Sequence, residues 1–247
     1  LVPALRHPVL QTTVSDLLAR VDAAGVMPLP FPLPWGSRTY VMGILNLTPD
    51  SFSGDGLLSQ PGFVQAALSQ ARQAVADGAD ILDLGGESTR PGAQPVGAQE
   101  EMARVLPVLE AIVKEGLPVI LSVDTCKAAV AEAALAVAPV WINDVWGLRA
   151  DPRLAQVAAR AGAPVILMHN RSKPGSLELR DRLGAAYLGA SYENLLEDVK
   201  RELLESVAIA HQAGVPDDRI ILDPGIGFGK TVAQNLELIH HLDELRS

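Results

Sequence analysis

The sequence has a single cysteine, a net negative charge and no long apolar run. Cys126 is the only cysteine among 247 residues, which excludes an intrachain disulfide and a cysteine zinc cluster. The net charge of −9 argues against nucleic-acid binding, although a few local Arg or Lys residues can still recognise a small anionic substrate. No apolar run is long enough for a membrane span, and the N-terminus lacks the order of a signal peptide. We therefore expect a soluble, cytoplasmic protein.

The composition is that of a globular protein with two regions of different character. Hydrophobic residues make up 48% of the chain and charged residues 20%, which is enough apolar material for a substantial core. The stretch MPLPFPLPWG, residues 27–36, is too rich in proline for a helix or a central strand. We predict an N-terminal extension over residues 1–37 and a main domain over residues 38–247.

A short apolar run followed by a helical segment recurs along the main domain. Continuous runs of Val, Ile and Leu are typical of strands that are buried on both faces of a parallel sheet. Consecutive βα units predict an α/β fold, either an open doubly wound sheet or a (β/α)8 TIM barrel, which would need two further units. The six runs are TYVMGILN (39–46), DILDLGG (80–86), PVILSVD (118–124), VWINDVWG (140–147), PVILMHN (164–170) and RIILDPG (219–225).

Polar residues stand at or just after the carboxyl end of every run. In parallel α/β folds these ends face one common side, where ligands bind. A single Asp or Asn in such a place can simply cap the next helix or form a turn. Their presence after all six runs indicates a ring of amides and carboxylates around one pocket. The residues are Asn46, the segment 83–90, Asp124, Asn143, Asp144, His169, Asn170 and Asp223.

Several of these residues allow more than one reading. Asn46 can bind Mg²⁺ together with phosphate oxygens, or cap a turn. Arg90, on a loop bounded by Gly and Pro, suits phosphate or carboxylate recognition, or is simply exposed to solvent. Asp124 follows an apolar run and needs donors, which a ligand or its chain neighbours can supply. His169 is a candidate base or metal ligand, or a structural histidine. The segment DPGIGFGKT, which contains Lys230, fits neither the Walker pattern nor the dinucleotide fingerprint.

Taken together and in this order, the motifs resemble those of dihydropteroate synthase. The matching stretches are GILNLTPDSFS, GADILDLGGESTRPGA, SVDT, INDV, ILMH and RIILDPGIGFGKT, and they cover nearly all of residues 40–240. The resemblance implies a (β/α)8 barrel. It also implies an enzyme that joins 6-hydroxymethyl-7,8-dihydropterin diphosphate to 4-aminobenzoate, releases pyrophosphate in folate biosynthesis, and is the target of sulfonamides.

The resemblance gives five residues a place in the pterin pocket. Asp223 matches the carboxylate that accepts two N–H groups from the edge of the pterin ring, an arrangement that suits a carboxylate well. Asp124 and Asn143 match residues that bind other polar atoms of the ring. Met168 and Phe228 match apolar positions of the pocket.

The resemblance also implies how the diphosphate and the amine are handled. Asn46 matches a Mg²⁺ ligand, and the ion would be shared with the diphosphate. Thr89 matches a residue that contacts the diphosphate, while Arg90 and the first two loops match a mobile lid that forms the aminobenzoate pocket. With diphosphate leaving first, Asn46, Asp124 and Asp223 are the implied catalytic residues. The partners implied are the two small substrates and a second copy of the chain.

The sequence departs from the family pattern at two places. The acidic residue of the first loop, Asp55, stands one position later than usual. The later family motifs are absent, so the domain over 38–247 lacks its last two βα units and we expect the sequence to be part of a longer polypeptide. Two alternatives stay open, a non-catalytic pterin-binding paralogue and a methyltetrahydrofolate methyltransferase. The methyltransferase should lack NLTPDSFS and STRPG.

Overall fold

The computed structural model describes residues 33–48, 61–88, 95–171 and 191–246. Six parallel strands form one sheet within these ranges, and they follow one another in chain order. The strands are β1 (Met42–Asn46), β2 (Ile81–Gly85), β3 (Ile120–Asp124), β4 (Trp141–Asp144), β5 (Val165–Met168) and β6 (Ile220–Asp223).

Helices follow the strands and cover the outer face of the sheet. Each crossover returns the chain to start the next strand parallel to the last, as βα units require. In the described ranges, the α-helices are α1 (Pro61–Ala76), α2 (Ala98–Glu115), α3 (Ala128–Val137), α4 (Leu154–Ala161), α5 (Leu195–Ala213) and α6 (Val232–His240). Two short 3₁₀ segments, Asp217–Arg219 and Leu242–Arg246, flank β6 and α6.

The strand order decides between the two predicted architectures. A doubly wound sheet reverses its order at a switch point, whereas here every strand pairs with its chain neighbour from β1 to β6. This order is that of a barrel wall. The α/β class and the barrel type with six βα units are thus confirmed. None of the helices described is both long and apolar enough to cross a membrane.

The inner face of the sheet changes character from one end to the other. Near the amino ends of the strands, Ile81, Ile120, Trp141 and Ile166 form a buried apolar cluster with Leu33. Polar side chains occupy the carboxyl ends of the strands. Asp124 and Asn143, for example, stand opposite each other at the ends of β3 and β4. The apolar cluster therefore forms a floor beneath a polar opening.

The other side of the sheet packs against the helices and supplies most of the core. Leu82, Leu84, Val123, Ile142 and Leu167 point outward and are fully buried. Because both faces are covered, the strands read as continuous apolar runs. Residues 1–32 lie outside the described residues, so the N-terminal extension over 1–37 stays a prediction.

Candidate active site

Four residues from four neighbouring strands lie side by side at the carboxyl end of the sheet. The register pairs Asn46 with Gly85, Gly85 with Asp124, and Asp124 with Asn143. We call these four residues the register row. A Cβ atom added at Gly85 would lie 3.4 Å from Oδ2 of Asp124, so the missing side chain leaves room for this carboxylate.

Asp83 lies one layer below the register row and orients Asn143. Nδ2 of Asn143 donates a hydrogen bond to Oδ2 of Asp83 at 2.9 Å. Asp83 is only 2% exposed and stands opposite Ser122 in the register. Burial raises the pKa of Asp83, while Ser122 and Asn143 act in the opposite direction. With its NH₂ group directed at Asp83, Asn143 offers its carbonyl oxygen to a ligand.

Asp124 is surrounded by other carboxylates. Burial raises the pKa of Asp124 well above its ordinary value, and the negative charges of Asp83 and Asp144 raise it further. Such a carboxyl group gains most from a ligand that brings N–H donors or positive charge. Strongly perturbed carboxyl groups inside a concave site are a common mark of function.

Asp223 closes the row of strand ends on β6, opposite Met168 of β5. The backbone N–H of Gly225 donates to Oδ1 of Asp223 at 2.7 Å. Among the described residues Oδ2 accepts no hydrogen bond, so Oδ2 and the second lone pair of Oδ1 are left to a ligand. Burial raises the pKa of Asp223, and the Gly225 N–H and the charge of Lys230 oppose this rise.

Lys230 fixes the loop that follows β6. Its buried ammonium group donates to the backbone oxygens of Gly225 at 2.9 Å, Phe228 at 3.0 Å and His169 at 3.4 Å. Phe228, which is half-buried, also donates its N–H to Gly225 O at 3.1 Å. The loop is therefore a compact turn held against the end of β5.

A second ionic group, which we call the ion cluster, consists of Glu87, Glu101 and Lys127. Nζ of Lys127 binds Oε2 of Glu101 at 2.5 Å and also binds Oε2 of Glu87. Glu101 is fully buried, and Oε1 of Glu87 accepts a hydrogen bond from the N–H of Val96 at 3.0 Å. The cluster thus joins the start of the loop after β2 to its end and to the start of α3. Lys127 is not the donor to Asp124 that the sequence allowed.

His169 is structural in this arrangement. Its ring is 1% exposed, and Nε2 lies 3.0 Å from Oε2 of Glu202 on α5. Arg171 binds the other oxygen of the same carboxylate at 2.7 Å through Nε. Burial lowers the pKa of His169 to about 4, and the charge of Lys230 adds to this effect. The ring is thus held beneath the surface through Nε2, as part of the ionic group formed by Glu202 and Arg171.

Comparisons with known proteins agree with the motifs. The family model described as pterin binding enzyme matches residues 42–247. The dihydropteroate synthase of Bacillus subtilis is 47% identical over 215 residues, which cover 87% of this chain and 68% of that protein. The chain belongs to the dihydropteroate synthase family. It is a transferase, as dihydropteroate synthases are.

Solved structures of dihydropteroate synthases place the same fold around the same motifs. The Clostridium difficile enzyme, crystallised in the presence of pteroic acid, has a TM-score of 0.74 and 43% identity, covering 87% of this chain and 74% of that one. The Yersinia pestis enzyme in a sulfonamide drug complex has a TM-score of 0.74 and 40% identity, covering 85% and 71%. The family assignment therefore rests on sequence and structure together.

The residues that the dihydropteroate synthase motifs predict fall into two groups. Those of the described ranges all lie at the carboxyl end of the sheet or in the loop after β6. Thr89, Arg90 and Asp55 lie outside the described residues, and their roles stay predictions. The predicted residues that share this end of the sheet are Asn46, Asp124, Asn143, Met168, Asp223 and Phe228.

The donor set around Asn46 limits what kind of metal site the chain can form. Asn46 is exposed, and no group of three His, Cys, Asp or Glu side chains suited to a metal occurs in the part of the chain that is described. One neutral amide oxygen cannot hold a transition metal alone. It does fit Mg²⁺, which keeps several waters and binds substrate phosphates.

Sequence reasoning placed Asp83 in the predicted ring with the segment 83–90, but it missed the contacts that form behind the pocket. Asp83, Lys230 and the ion cluster depend on partners distant in sequence; Lys127 and Glu101, for instance, are 26 residues apart. Asp144, placed in the predicted ring, is instead a turn residue. It is fully buried, and its oxygens accept the N–H groups of Trp146 at 2.9 Å and Leu148 at 2.6 Å.

Proposed function

We propose that this protein condenses 6-hydroxymethyl-7,8-dihydropterin diphosphate with 4-aminobenzoate to give 7,8-dihydropteroate and pyrophosphate. The observation that carries this proposal is the set of half-satisfied polar groups on the inner face of the sheet. Asp124, Asn143 and Asp223 lie at the carboxyl end of the inner face, with Met168 opposite Asp223 in the register and Phe228 in the loop after β6. A flat heterocycle with N–H groups on its edge suits this combination of acceptors and apolar walls.

The pterin edge is the part of the substrate that the carboxylates recognise. A pterin carries adjacent N–H donors, and Asp223 can accept both in a bidentate manner. Asn143 adds a carbonyl oxygen whose direction Asp83 fixes. Asp124, whose pKa is raised by burial, gains hydrogen-bond donors when the ring binds. Binding of the ring therefore also stabilises the buried carboxylate.

Bond breaking at the diphosphate follows from this placement. The C–O bond between the pterin methylene and the diphosphate breaks with both electrons leaving on oxygen. The electron-rich ring and the nearby carboxylates of Asp124 and Asp223 stabilise the cation that develops. The amine nitrogen of 4-aminobenzoate then forms the C–N bond and loses a proton. A bound Mg²⁺, held by Asn46 and by the diphosphate, would supply Lewis-acid stabilisation of the leaving group.

A coupled assay for pyrophosphate release tests the proposal. We expect release from the full-length protein only when both substrates and Mg²⁺ are present, and we expect it to fall when a chelator removes the metal. Pyrophosphate release without 4-aminobenzoate at the same rate would show hydrolysis in place of condensation. Pterin binding without release would favour the non-catalytic paralogue.

A methyltetrahydrofolate methyltransferase is disfavoured by the motifs around β1 and β2. The loop after Asn46 and the loop after Gly86 carry the NLTPDSFS and STRPG sequences that such an enzyme should lack. The relative and the two solved structures compared above are dihydropteroate synthases, which agrees with this choice.

Location and assembly are further parts of the proposal. A diphosphate ester is too strongly charged to cross a bilayer unaided, so an enzyme that consumes it works in the compartment that produces it, which we propose is the cytoplasm. The homodimer implied by the motifs is tested by light scattering of the purified full-length protein.

A further inference from the structure

We propose that Lys230 is a positioning residue of the pterin pocket. Its ammonium group holds the loop that carries Phe228 against the end of β5, and it places a positive charge opposite the Asp223 carboxylate. This inference rests on the proposed role of Asp223 in pterin binding, and it adds a residue that makes no contact with the substrate itself.

The hydrogen bonds of Lys230 support the first part. An ammonium group has three N–H donors and no acceptor, and here three backbone oxygens receive them: those of Gly225, Phe228 and His169. Two of the oxygens belong to the loop after β6 and one belongs to the residue that follows β5. The side chain therefore joins two loops, and with them the positions of Phe228 and Met168.

The tightness of this arrangement makes it sensitive to change. Lys230 is 5% exposed, and Gly225 adopts φ of 71° with its Cα facing His169. A Cβ atom added at Gly225 would lie 2.0 Å from His169 O and 3.1 Å from Nζ of Lys230. The backbone of Gly225 is thus packed directly against the ammonium group.

The charges around Lys230 support the second part. Gly225 links the two groups, because its N–H donates to Oδ1 of Asp223 at 2.7 Å and its carbonyl oxygen accepts from Nζ of Lys230 at 2.9 Å. The charges that act on Lys230 are the carboxylates Asp223 and Glu202 and the cation Arg171. Burial lowers the pKa of Lys230 to about 8, so the side chain still carries its charge at neutral pH. Without that charge, burial of Asp223 would favour its protonated form, which offers only one acceptor oxygen to a pterin edge.

Two variants distinguish the hydrogen bonds of Lys230 from the effect of its positive charge on Asp223. Lys230→Met removes the donors and the charge at similar length, whereas Lys230→Gln keeps two donors without a charge. The probe is 6-hydroxymethylpterin, which has no phosphate that titrates between about pH 4 and 7. Calorimetry on the full-length protein across this range gives the affinity and the pH at which binding is lost on the acid side.

We expect Lys230→Met to weaken pterin binding at neutral pH by about tenfold or more. We also expect the acid limb of the binding curve to move to higher pH in both variants, because Asp223 then binds a proton more readily. A purely structural lysine would lower the affinity or the melting temperature without moving this limb. Lys230→Arg, which keeps the charge, should return the limb toward its wild-type position.

Lys114→Met is the matched control, since Lys114 is an exposed lysine near the end of α2. It should change neither the affinity nor the acid limb. Wild-type affinity in Lys230→Met would overturn the whole inference, and an unmoved acid limb in both neutral variants would overturn the electrostatic part. If the wild-type protein itself fails to bind the pterin, the proposed function fails instead. Should Lys230→Met not fold, Lys230→Gln and Lys230→Arg still provide the comparison.

Discussion

Single residues of the pocket share a simple device: one polar atom is held by the protein and another is left for a ligand. The NH₂ group of Asn143 donates a hydrogen bond to Asp83, and Oδ1 of Asp223 accepts one from the Gly225 N–H. The held atom fixes the direction of the side chain before any ligand arrives. Less conformational entropy is then lost on binding, which is the benefit of preorganisation.

Replacing Asp223 with Asn should separate its charge from its shape. Asp223→Asn keeps the volume but removes one acceptor and the negative charge, so we expect pterin affinity to fall by roughly 100-fold. Stability should change little, because burial already disfavours the charged form. Calorimetry with the pterin measures the affinity, and Asp243→Asn, at an exposed position, is the control. Near-normal affinity would refute the carboxylate-edge argument.

Two glycines of the loop after β6 should respond differently to the same substitution. Gly225 and Gly227 both have positive φ, at 71° and 87°, so Ala costs backbone strain of about 1–2 kcal/mol at either position. Only at Gly225 does the new Cβ collide with backbone, 2.0 Å from His169 O, whereas nothing lies within 4 Å at Gly227.

We therefore expect Gly225→Ala to lower the free energy of unfolding and the pterin affinity far more than Gly227→Ala. Urea unfolding and calorimetry on both variants measure the difference. Equal effects would mean that strain, and not the close approach to β5, makes glycine necessary at this position.

At the scale of elements, the ion cluster fixes the ends of two loops that follow adjacent strands. Lys127 lies at the start of α3, Glu101 in the first turns of α2, and Glu87 just after β2. Val96 and Glu87 are joined by a hydrogen bond, so the chain between them begins and ends at neighbouring points. The ion cluster therefore links the end of β2 to the starts of α2 and α3.

Loss of the cation should leave Glu101 without a partner and Glu87 with only the N–H of Val96. Glu101 is fully buried, so we expect Lys127→Met to lower the free energy of unfolding by about 3–5 kcal/mol. The exposed pair of Arg72 and Glu115 gives the control, because breaking it with Arg72→Met should change the free energy of unfolding far less. Urea unfolding of both variants measures this, and similar small costs would contradict the importance of burial.

The same elements show what the sequence can and cannot predict. Strands β2 to β5 were predictable because most of their side chains are buried on both faces. The chain closes α2, α4 and α5 with left-handed Gly116, Gly162 and Gly214. The start of α4 was less clear, since Asp151-Pro152 indicates a helix opening but the helix begins at Leu154.

Side-chain partners were the least predictable part of the site. Asp144 and Asn143 are neighbours in sequence, yet alternation along β4 sends Asn143 to the inner face and Asp144 to a turn. Motif resemblance named Asn143, which lies at the carboxyl end of the sheet, while the position of Asp83 beneath it follows only from the register of β2 with β3 and β4. Contacts of this kind depend on pairing between strands, which a single sequence does not display.

Across the whole molecule, an apolar floor and a polar opening divide the inside of the sheet. The floor keeps water from the lower part of the interior, and this low-dielectric setting strengthens the electrostatic interactions at the opening. Burial in the same setting raises the pKa values of Asp83, Asp124 and Asp223, which favours their protonated forms. Stability should therefore depend on pH in ways that single surface residues do not produce.

His169 gives the clearest case of this dependence. Its pKa of about 4 in the folded protein lies below the ordinary value of 6.5, so the unfolded chain binds more protons between these values. Stability should be fully present above about pH 6.5 and fall by roughly 3 kcal/mol as the pH drops toward 4. Urea unfolding at several pH values measures this loss.

The variant His169→Gln should make the acid dependence shallower, because the group that takes up a proton on unfolding is gone. His240→Gln, on the exposed face of α6, should leave the wild-type slope unchanged. An identical slope in all three proteins would assign the acid sensitivity to carboxyl groups whose pKa is lowered in the fold, such as Glu202 and Asp198.

The register row has one more consequence. Asn46, Gly85, Asp124 and Asn143 face the opening only because four strands are aligned in one particular way. A slip of any strand by a single position would turn its row member toward the helices and bring an apolar side chain inward. Pterin binding therefore reports whether the strands are in the native register. A protein with a shifted strand would keep its helices and its compactness, and only its loss of pterin binding would reveal the shift.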